Sequence, residues 1–382
     1  MVTATKGSKE LYAEVINSGM CTVCGACIGN CPYSVFYKGR IRMLDYCNRT
    51  EGHCYEYCPR TFTDLDTLSR KIFGIPYAGE EIGQVKDIFM ARSKDKKVLA
   101  KAQYGGVVTT LLSAAISEGI IDKAIVAKTT DQKLPAGFVA STPRDVLDCA
   151  GSNYMAFPAL EALNRMPRES KEKLGIVVTP CQAMALAKMQ LSPPSQRANI
   201  ENVRLVIGLF CTWALAYDRF YQFLKDNVDL PKVRKFDIPP PPANRLDVYI
   251  GKEVKSFSLD EIRNYRMTAC AYCIDMTAEF TDVSVGSVEG TEGWNTVIVR
   301  TQRGEDIVSI AKKKGLIETK PLPAANLAHL KDASLNKKFR SLKEIVKKTG
   351  NKEDLLYLGM PKEVRERLLA LDLTRREGTN MP

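Results

Sequence analysis

The sequence predicts an α/β protein with a cysteine-rich segment before the α/β region and a charged helical tail after it. Seven of the twelve cysteines lie within residues 21–60. Between about residues 86 and 330, short β-branched runs alternate with amphipathic helical patterns, which favours a sheet with helices packed on it. We therefore predict four parts: residues 1–62, a connecting segment 63–85, the α/β region 86–330 and the helical tail 331–382.

The strand and helix signals in the α/β region are short and regularly spaced. β-Branched runs predict strands at residues 122–128, 174–180, 202–210 and 295–301. Amphipathic patterns predict helices at residues 107–119, 157–166 and 182–190. Four consecutive prolines at 239–242 exclude a central strand or helix there, and residues 245–259 read as a hairpin that turns at Gly251 and Lys252.

Composition narrows the class of protein. A chain of 382 residues, 45% apolar and 26% charged, is typical of a globular protein of two or three domains. Its longest mostly apolar stretch, residues 205–217, is too short to span a bilayer, and the first twenty residues lack the apolar segment of a secretory signal. We therefore expect a cytoplasmic protein without a membrane span. In a reducing compartment, cysteines favour metal binding or redox chemistry over disulfides.

The formal net charge of +11 is compatible with a nucleic acid, an acidic membrane surface, an acidic protein or a polyanionic small molecule as partner. Basic residues concentrate in segments 91–101, 311–320 and 335–352, where we expect solvated helix faces. The sequence carries no nucleic-acid-binding motif beside them. We therefore expect no nucleic-acid partner.

The first cysteine run has the spacing of a bacterial ferredoxin. Cys21, Cys24, Cys27 and Cys31 are followed directly by Pro32. In two-cluster ferredoxins the first three cysteines of such a run bind one iron–sulfur cluster, and the fourth binds the other. Zinc more often uses two separated CxxC pairs. The run therefore predicts a ferredoxin-like iron–sulfur domain, with a glycine after Cys24 allowing a tight turn.

A second run is a degenerate copy of the first. Cys54, Cys58 and the following proline match the end of the motif, but Cys47 stands alone at its start. We expect Cys58 to complete the first cluster, and Cys31 to join Cys47 and Cys54 in a second cluster that is one thiolate short. A [3Fe–4S] cluster, or a fourth ligand from Glu51 or His53, would resolve the deficit. The alternative is one cluster only, with Cys47 in a structural role.

Four more cysteines lie in the α/β region. Cys181 follows a predicted strand and starts a helix, where backbone N–H groups favour a thiolate. Cys211 ends another predicted strand, and Cys270 and Cys273 form a CxxC pair. On spacing alone this set fits zinc and iron–sulfur equally. The remaining residue, Cys149, is expected to be a small buried hydrophobe.

Several segments taken together resemble the β subunit of the coenzyme F-420 (F420) hydrogenase/dehydrogenase family. The resemblance spans roughly residues 86–330 and is carried by ARSKDKKVLAKAQYGGVVTTLLSAAISEGIIDKAIVA, CAGSNYMAF, VVTPCQAMALAKMQ, VIGLFC, MTACAYCIDMTAEFTDVSVGSVEGTEGWNTVIVRT and GLIETKPL. It implies a flavoprotein that holds FAD and usually one [4Fe–4S] cluster. The family's cluster cysteines match Cys181, Cys211, Cys270 and Cys273, and a ferredoxin-like amino-terminal extension also occurs in the family. The resemblance therefore implies two or three clusters in all.

The residues themselves support a flavin site only in part. Two glycines stand before a predicted helix in KAQYGGVVT, where backbone can approach a diphosphate, although such a pair alone is more often turn chemistry. With the resemblance, the expected flavin contacts are Gln103, Gly105, Gly106, Thr109, Ser152, Asn153 and Tyr154. Trp294 and Tyr104 are candidates to cover a ring face.

The resemblance implies hydride exchange between FAD and F420, with single electrons passed through the clusters to or from a partner. The partners it suggests are hydrogenase, formate dehydrogenase or heterodisulfide-reductase-like subunits. Lys101, Lys128 and Arg300 are weak candidates for the anionic tail of F420. The alternatives are the same fold serving NADH, ferredoxin or a thiol/disulfide partner, and a pure electron relay without active flavin. The sequence identifies no catalytic acid or base.

Overall fold

The computed structural model describes residues 6–29, 31–49, 52–130, 134–192, 199–239 and 243–370. The strands are β1 Ser34–Tyr37, β2 Arg40–Met43, β3 Thr63–Asp64, β4 Asp87–Ser93, β5 Lys123–Thr129, β6 Pro135–Ala140, β7 Leu174–Val178, β8 Val203–Leu209, β9 Val233–Asp237, β10 Arg245–Ile250, β11 Glu253–Ser258, β12 Val283–Ser287, β13 Asn295–Val299, β14 Ile317–Pro321 and β15 Leu358–Gly359.

The helices are α1 Ser8–Leu11, α2 His53–Glu56, α3 Leu65–Phe73, α4 Lys96–Lys101, α5 Val107–Ser117, α6 Pro143–Asp148, α7 Ala159–Asn164, α8 Pro180–Leu191, α9 Tyr217–Asn227, α10 Leu259–Ile262, α11 Gln302–Lys313, α12 Ala324–Thr349 and α13 Lys362–Ala370. A π-helical turn, Tyr12–Ile16, continues α1. Short 3₁₀ turns are Ile200–Asn202, Leu230–Lys232, Arg263–Tyr265 and Thr268–Tyr272.

The main sheet has eight strands in the order β14-β4-β13-β12-β8-β7-β5-β6. Strands β12, β8, β7 and β5 run parallel to one another, and the outer strands are antiparallel to their neighbours. Apolar side chains fill both faces: Ala124 and Val126 pack in the core under α5 and α11, whereas Ile125 packs under α7 and α8. The chain therefore has a mixed α/β fold with a helical carboxyl-terminal region, as predicted.

The four predicted strands are confirmed as β5, β7, β8 and β13, and the three predicted helices as α5, α7 and α8. Strand β12 was not predicted, because its glycine placed it in a Gly-rich turn. Gly286 instead lies within this strand, and an added Cβ there would stand 1.9 Å from the Phe210 ring. Close packing explains this glycine.

The predicted hairpin is confirmed. Strands β10 and β11 pair antiparallel from Arg245 and Ser258 to Ile250 and Glu253, and β9 completes a small sheet beside β10. Gly251 has a φ of +57°, which the turn requires and glycine adopts without strain. Most of the proline run, residues 240–242, lies outside the described residues.

One apolar core draws on all four predicted parts of the chain. It contains Leu11 and Val15 from the amino-terminal segment and Leu65 from the segment predicted to connect, where α3 forms. Met184 of α8 and Leu342 of α12 complete it from the other two parts. The cysteine-rich segment is therefore packed against the α/β region and the helical tail.

The expectation that the basic segment 335–352 forms a solvated helix face is wrong for two lysines of α12. Lys337 and Lys338, within the basic segment 335–352, are 4% and 1% exposed. Cys149, by contrast, behaves as predicted, packing partly buried against the core beneath α5. Among the described residues, no helix is both long enough and apolar enough to span a membrane.

Candidate functional site

Four cysteines from both amino-terminal runs surround one space. Cys21, Cys24, Cys27 and Cys58 all line one small cavity whose remaining walls are largely apolar. Burial, with a smaller contribution from the neighbouring Cys58, raises the pKa of the Cys21 thiol to about 12. Burial likewise raises the pKa of Cys24 and Cys27 well above the ordinary value, with Cys58 again contributing. The structure thus brings together the grouping predicted for the first cluster.

The loop around this cavity is held by helix α7. Gly25 has a φ of +90°, and an added Cβ would lie 2.8 Å from the backbone nitrogen of Glu161. The Asn164 side chain donates hydrogen bonds to the carbonyl oxygens of Gly25, Ala26 and Ile28 at 3.3, 3.1 and 2.7 Å. These carbonyl oxygens lie in a loop that wraps the cavity rather than in a helix or a sheet. The Asn164 amide supplies hydrogen-bond donors to them.

The second set is smaller and less enclosed. Burial, with smaller contributions from the neighbouring Cys31 and Cys47, raises the pKa of Cys54 to about 12. The hydroxyl of Ser8 lies 3.6 Å from the Cys47 sulfur and lowers the pKa of that thiol. Of the candidate fourth ligands, Glu51 lies outside the described residues. The His53 ring stacks at a tilt against Tyr57, with ring centres 5.4 Å apart.

The third set gathers Cys181, Cys211, Cys270 and Cys273 from a helix start, a strand end and a 3₁₀ turn. Burial, with smaller contributions from Cys273 and Cys181, raises the pKa of the Cys270 thiol to about 11. Burial also raises the pKa of Cys181 despite its place at the start of α8, so desolvation outweighs the expected effect of the helix terminus. At Cys273, burial acts to raise the pKa, but Lys337 and Arg60 bring it below the ordinary value.

Three buried cations stand beside these sets. The ammonium of Lys188, on α8, donates to the carbonyl oxygens of Cys58 and Phe62 at 2.8 and 2.9 Å. Lys337, on α12, donates to the carbonyl oxygens of Cys211 and Asp275 at 2.6 and 2.7 Å. Arg60, two residues after Cys58, is 5% exposed and lies between the first and third sets. Each cation offsets the negative charge that grouped thiolates would carry.

The donor sets suit iron–sulfur clusters by the chemistry of their atoms. Each set consists of three or four cysteines, and cysteine thiolates are the usual ligands of iron–sulfur clusters. The Nε atom of Arg60 is buried without a hydrogen-bond partner among the described residues. An inorganic sulfide of a cluster would accept a hydrogen bond from it.

Two of the predicted flavin contacts meet at the start of the proline run. The Gln103 amide donates to the Tyr154 hydroxyl at 3.1 Å and also to the Asp237 carboxylate. The Tyr154 hydroxyl accepts a second hydrogen bond from the Ile238 backbone at 3.0 Å, and burial raises the pKa of this tyrosine. The Gln103 Oε1 atom is buried without a partner among the described residues. An unpaired acceptor here fits the imide N–H of a flavin ring.

This tyrosine is joined to the third cysteine set by two consecutive residues. The backbone N–H of Leu215 donates to the Tyr154 carbonyl at 2.8 Å. The preceding N–H, of Ala214, points at the Cys270 sulfur at 3.4 Å. The candidate flavin region and the third cysteine set are therefore neighbours.

The glycine pair has structural reasons of its own. Gly106 has a φ of +68° and precedes α5, and an added Cβ at Gly105 would meet the Ala91 carbonyl oxygen at 2.7 Å. The Asn295 side chain already accepts from the Val107 N–H, at 3.3 Å, at the start of α5. One of the backbone donors proposed for a diphosphate is thus occupied.

The other predicted flavin contacts lie apart from this network. Thr109 is buried within α5, whereas Ser152 is exposed. The Asn153 side chain accepts a hydrogen bond from Thr129 at 3.2 Å. Trp294 is 5% exposed and packs with Met90 and Val288. Arg92 and Lys320 both stand over its ring at 4.7 Å, which leaves little room for a flavin.

Among the candidates for the F420 tail, the prediction for Arg300 is wrong. This residue is 2% exposed, and its guanidinium donates to Ser284, Thr277 and the carbonyl oxygens of Ile82 and Gln84. It is a structural arginine. Lys101 forms an ion pair with Asp148 at 2.7 Å, and the Lys128 ammonium lies over the Phe138 ring.

Sequence reasoning missed the groups that support the cysteines. Arg60 directly follows the CP end of the second motif, and that position was the one available signal. Lys188 and Lys337 lie far from the cysteines they support along the sequence, inside helices with ordinary patterns. Asp237 gave no signal in the sequence, because it ends a strand just before the prolines.

Comparison with known proteins identifies a family for this chain. Residues 88–164 and 171–325 match the amino- and carboxyl-terminal models of the coenzyme F420 hydrogenase/dehydrogenase beta subunit. A coenzyme F420 hydrogenase subunit beta from Methanothermobacter thermautotrophicus is 35% identical over 69% of this chain and 95% of its own length. A chain in the F420-reducing [NiFe] hydrogenase complex from Methanosarcina barkeri superposes with a TM-score of 0.66 at 31% identity, covering 74% of this chain and 97% of that one.

A longer relative matches more of the chain. The coenzyme F420-dependent sulfite reductase from Methanocaldococcus jannaschii is 32% identical over 89% of this chain, which takes the similarity beyond the two family models. This chain spans only 52% of the length of that relative. On the family models, the hydrogenase subunit and the shared fold, the chain belongs to the coenzyme F420 hydrogenase/dehydrogenase beta subunit family.

Proposed function

We propose that this chain is the iron–sulfur flavoprotein subunit of a redox complex and exchanges a hydride with F420 at FAD. Single electrons would pass through clusters held by the three cysteine sets to or from a partner redox enzyme. The partner would be a hydrogenase, a formate dehydrogenase or a heterodisulfide-reductase-like subunit. FAD, when bound, exchanges two electrons with a deazaflavin and single electrons with an iron–sulfur cluster.

The observation that carries this proposal is the order of the candidate sites. Tyr154 neighbours the third cysteine set through Ala214 and Leu215. The third set neighbours the first, because Arg60, two residues after Cys58, donates to the Ala269 carbonyl oxygen beside Cys270. The first set neighbours the second in turn, because Cys54 and Cys58 share one apolar core with Cys21 and Cys27. A row that begins at a flavin region and ends at a second ferredoxin-type set suits electron transfer to a partner.

The far end of the row offers a surface for that partner. Near the second set, four large apolar side chains are exposed on the β1–β2 hairpin and its flanks: Tyr33, Tyr37, Leu44 and Tyr46. Exposed apolar residues grouped in this way are typical of interaction sites. The buried flavin region and this exposed hairpin would thus serve the two ends of the reaction.

Within this chain, protein groups would position the reactants. Hydride transfer between stacked rings needs close approach and correct orientation more than it needs an acid or base. The Gln103 amide and the Tyr154 hydroxyl are held by Asp237 and the Ile238 backbone, so both are oriented before a ring binds. Preorganised polar groups of this kind keep their geometry when charge on the ring changes.

The proposal can be tested on the purified chain under anoxic conditions. Iron, acid-labile sulfide and flavin are counted per chain, and reduced F420 is then added while flavin absorbance and EPR spectra are recorded. About twelve irons would indicate three [4Fe–4S] clusters, and about eleven would indicate a [3Fe–4S] cluster in the second set. We expect reduced F420 to bleach the flavin and produce cluster signals.

Two serine variants provide matched comparisons. Cys24→Ser should lose the iron of the first cluster, whereas Cys149→Ser should keep the full iron content. Four or fewer irons per chain would contradict the ferredoxin-like part of the proposal. Flavin that NADH reduces and F420 does not would favour the alternative donor. Clusters without flavin would favour a pure electron relay.

A further inference from the structure

Arg60 links the loops of two cysteine sets. Burial raises the pKa of the Cys58 thiol, in the first set, and the Arg60 backbone N–H directed at that sulfur offsets part of the rise. Its side chain crosses to the third set, donating to the Ala269 carbonyl oxygen at 3.2 Å, next to Cys270. One residue therefore contacts both loops.

A tyrosine from beyond α12 holds the guanidinium in place. Arg60 donates to the Tyr357 hydroxyl, and its guanidinium carbon lies 4.5 Å from the centre of the Tyr357 ring. The Tyr357 hydroxyl in turn donates to the Tyr272 carbonyl oxygen, beside Cys273, at 2.6 Å. Both side chains are buried, at 5% and 2% exposure, so the arrangement is rigid and shielded from water.

The Nε atom of Arg60 is the guanidinium nitrogen that this arrangement leaves without a hydrogen bond. Two terminal nitrogens are used by Tyr357 and Ala269, but Nε is buried without a partner among the described residues. A buried donor on a charged group is unfavourable when it has no acceptor. The guanidinium charge acts on Cys273 and Cys181 and also reaches Cys21 and Cys58, and its hydrogen bond to Ala269 places it beside the third set. The unpaired donor points to an acceptor that occupies the space among these cysteines.

We propose that Arg60 is a positioning residue: it fixes the first and third sets at one spacing and donates a hydrogen bond from Nε–H to the cluster of the third set. This inference rests on the proposed function, because it requires that cluster. A cation and a hydrogen bond at a cluster stabilise its more negative, reduced state and raise its reduction potential. Arg60 would therefore set the potential difference between neighbouring clusters.

The test measures the midpoint potential of each cluster by EPR-monitored redox titration of the full chain. A Cys273→Ser variant identifies which signal belongs to the third set. Arg60→Met, which removes the charge and every donor, should lower the potential of that signal. Arg60→Lys keeps the charge without the Nε–H donor and should give a smaller shift in the same direction.

Two further variants separate this role from general folding effects. Arg300→Lys replaces another buried arginine with full hydrogen bonding and should leave every potential unchanged. Tyr357→Phe removes the hydroxyl that anchors the guanidinium, and should shift the same potential even if Arg60→Met binds too little iron to titrate. Unchanged potentials in iron-replete Arg60→Lys and Tyr357→Phe would overturn the inference. A wild-type chain without clusters would instead defeat the proposed function itself.

Discussion

At the scale of single residues, the candidate site depends on polar side chains that serve backbone carbonyls. Loops that wrap a cluster cannot form ladders, so their carbonyl oxygens need other donors. Asn164 serves three carbonyls of the first loop, and Lys188 and Lys337 serve others near the first and third sets. These side chains are as necessary to the loops as the cysteines are to a cluster.

We expect Asn164→Ala to lower the free energy of unfolding by about 1–3 kcal/mol, because it leaves buried carbonyls without donors. The variant should also lose iron from the first cluster. Asn199→Ala is a matched control: Asn199 is another buried asparagine, donating to the Met166 carbonyl oxygen at 3.0 Å away from the cysteines. Denaturation and iron content measure both effects. Equal iron loss in the two variants would contradict the specific role of Asn164.

Asp66 gives a pH-dependent prediction. Its side chain accepts from Arg70 at 2.7 Å and from the Tyr77 backbone at 2.9 Å, and these bonds lower its pKa below the ordinary value of 3.8. A lowered folded-state pKa adds stability that is present above the ordinary pKa and is lost as the pH falls through the folded pKa. Asp66→Asn should therefore be less stable than wild type at pH 7.

The difference in stability between Asp66→Asn and wild type should shrink as the pH falls below about 4. Urea denaturation at a series of pH values measures it. Asp87→Asn, at an aspartate whose nearest ion-pair partner, Lys312, is 3.9 Å away, serves as the control. A gap between Asp66→Asn and wild type that stays constant down to pH 2.5 would contradict this linkage.

At the scale of elements, two adjacent lysines of α12 make different interactions. Lys337 serves the carbonyls of Cys211 and Asp275, whereas Lys338 forms an ion pair with Glu279 in which both side chains are almost fully buried. Successive residues on a helix point about 100° apart, so one helix can reach both places. The helix is thus a structural part of the candidate site as well as a tail.

Breaking the Lys338–Glu279 ion pair should cause a large loss of stability that a second substitution partly restores. Lys338→Met leaves the Glu279 carboxylate buried without its partner and should cost about 3–5 kcal/mol. Adding Glu279→Gln should recover part of that loss, because the double variant removes the unpaired charge. Chemical denaturation of the two single variants and the double variant forms a cycle. Fully additive losses would show that the pair does not interact.

Lys337 predicts an effect on the third cluster. Lys337→Met should reduce the iron bound there, because two carbonyls beside the cysteines lose their donor and the grouped thiolates lose a nearby cation. Lys343→Met is the matched control on the same helix, at an exposed position. Iron analysis and the EPR signal of the third set measure the difference. Identical spectra in both variants would contradict the prediction.

At the scale of the whole molecule, the cysteine sets stand where several parts of the chain meet. The first set lies against α7 and α8, and the shared apolar core beneath it includes Leu342 and Ile345 of α12. Metal binding to ligands that come together only on folding adds to folding free energy. Clusters at this junction would therefore stabilise the joint between the cysteine-rich segment and the α/β region.

Removing iron with a chelator under anoxic conditions should consequently lower the thermal midpoint of the chain. Limited proteolysis should then cut first within the cysteine-rich segment, residues 6–62, while the eight-stranded sheet persists. Mass spectrometry of the fragments identifies the cleavage sites, and iron-replete protein provides the control. First cuts within the main sheet would contradict this order of unfolding.

Much of the fold could be predicted from the pattern of residues, because β5, β7, β8 and β13 and helices α5, α7 and α8 have strong local signals. Strand β12 and the burial of Lys337 had no such signal. Gly286 resembles a turn residue until Phe210 is packed against it, and a lysine in a basic run resembles a surface residue until a carboxylate or carbonyl faces it. Long-range contacts decide both cases.

By itself, the sequence determined the family, the α/β class and the groups of cysteines, because spacing and periodicity are local properties that survive without coordinates. Only the tertiary structure decided the order of the sites and the residues that support them. Arg60 and Tyr357 are nearly three hundred positions apart in the sequence, yet share one buried contact. Such contacts form because burial removes charged groups and carbonyl oxygens from water, so they must pair with the partners that the fold brings near. Local sequence patterns do not contain that information.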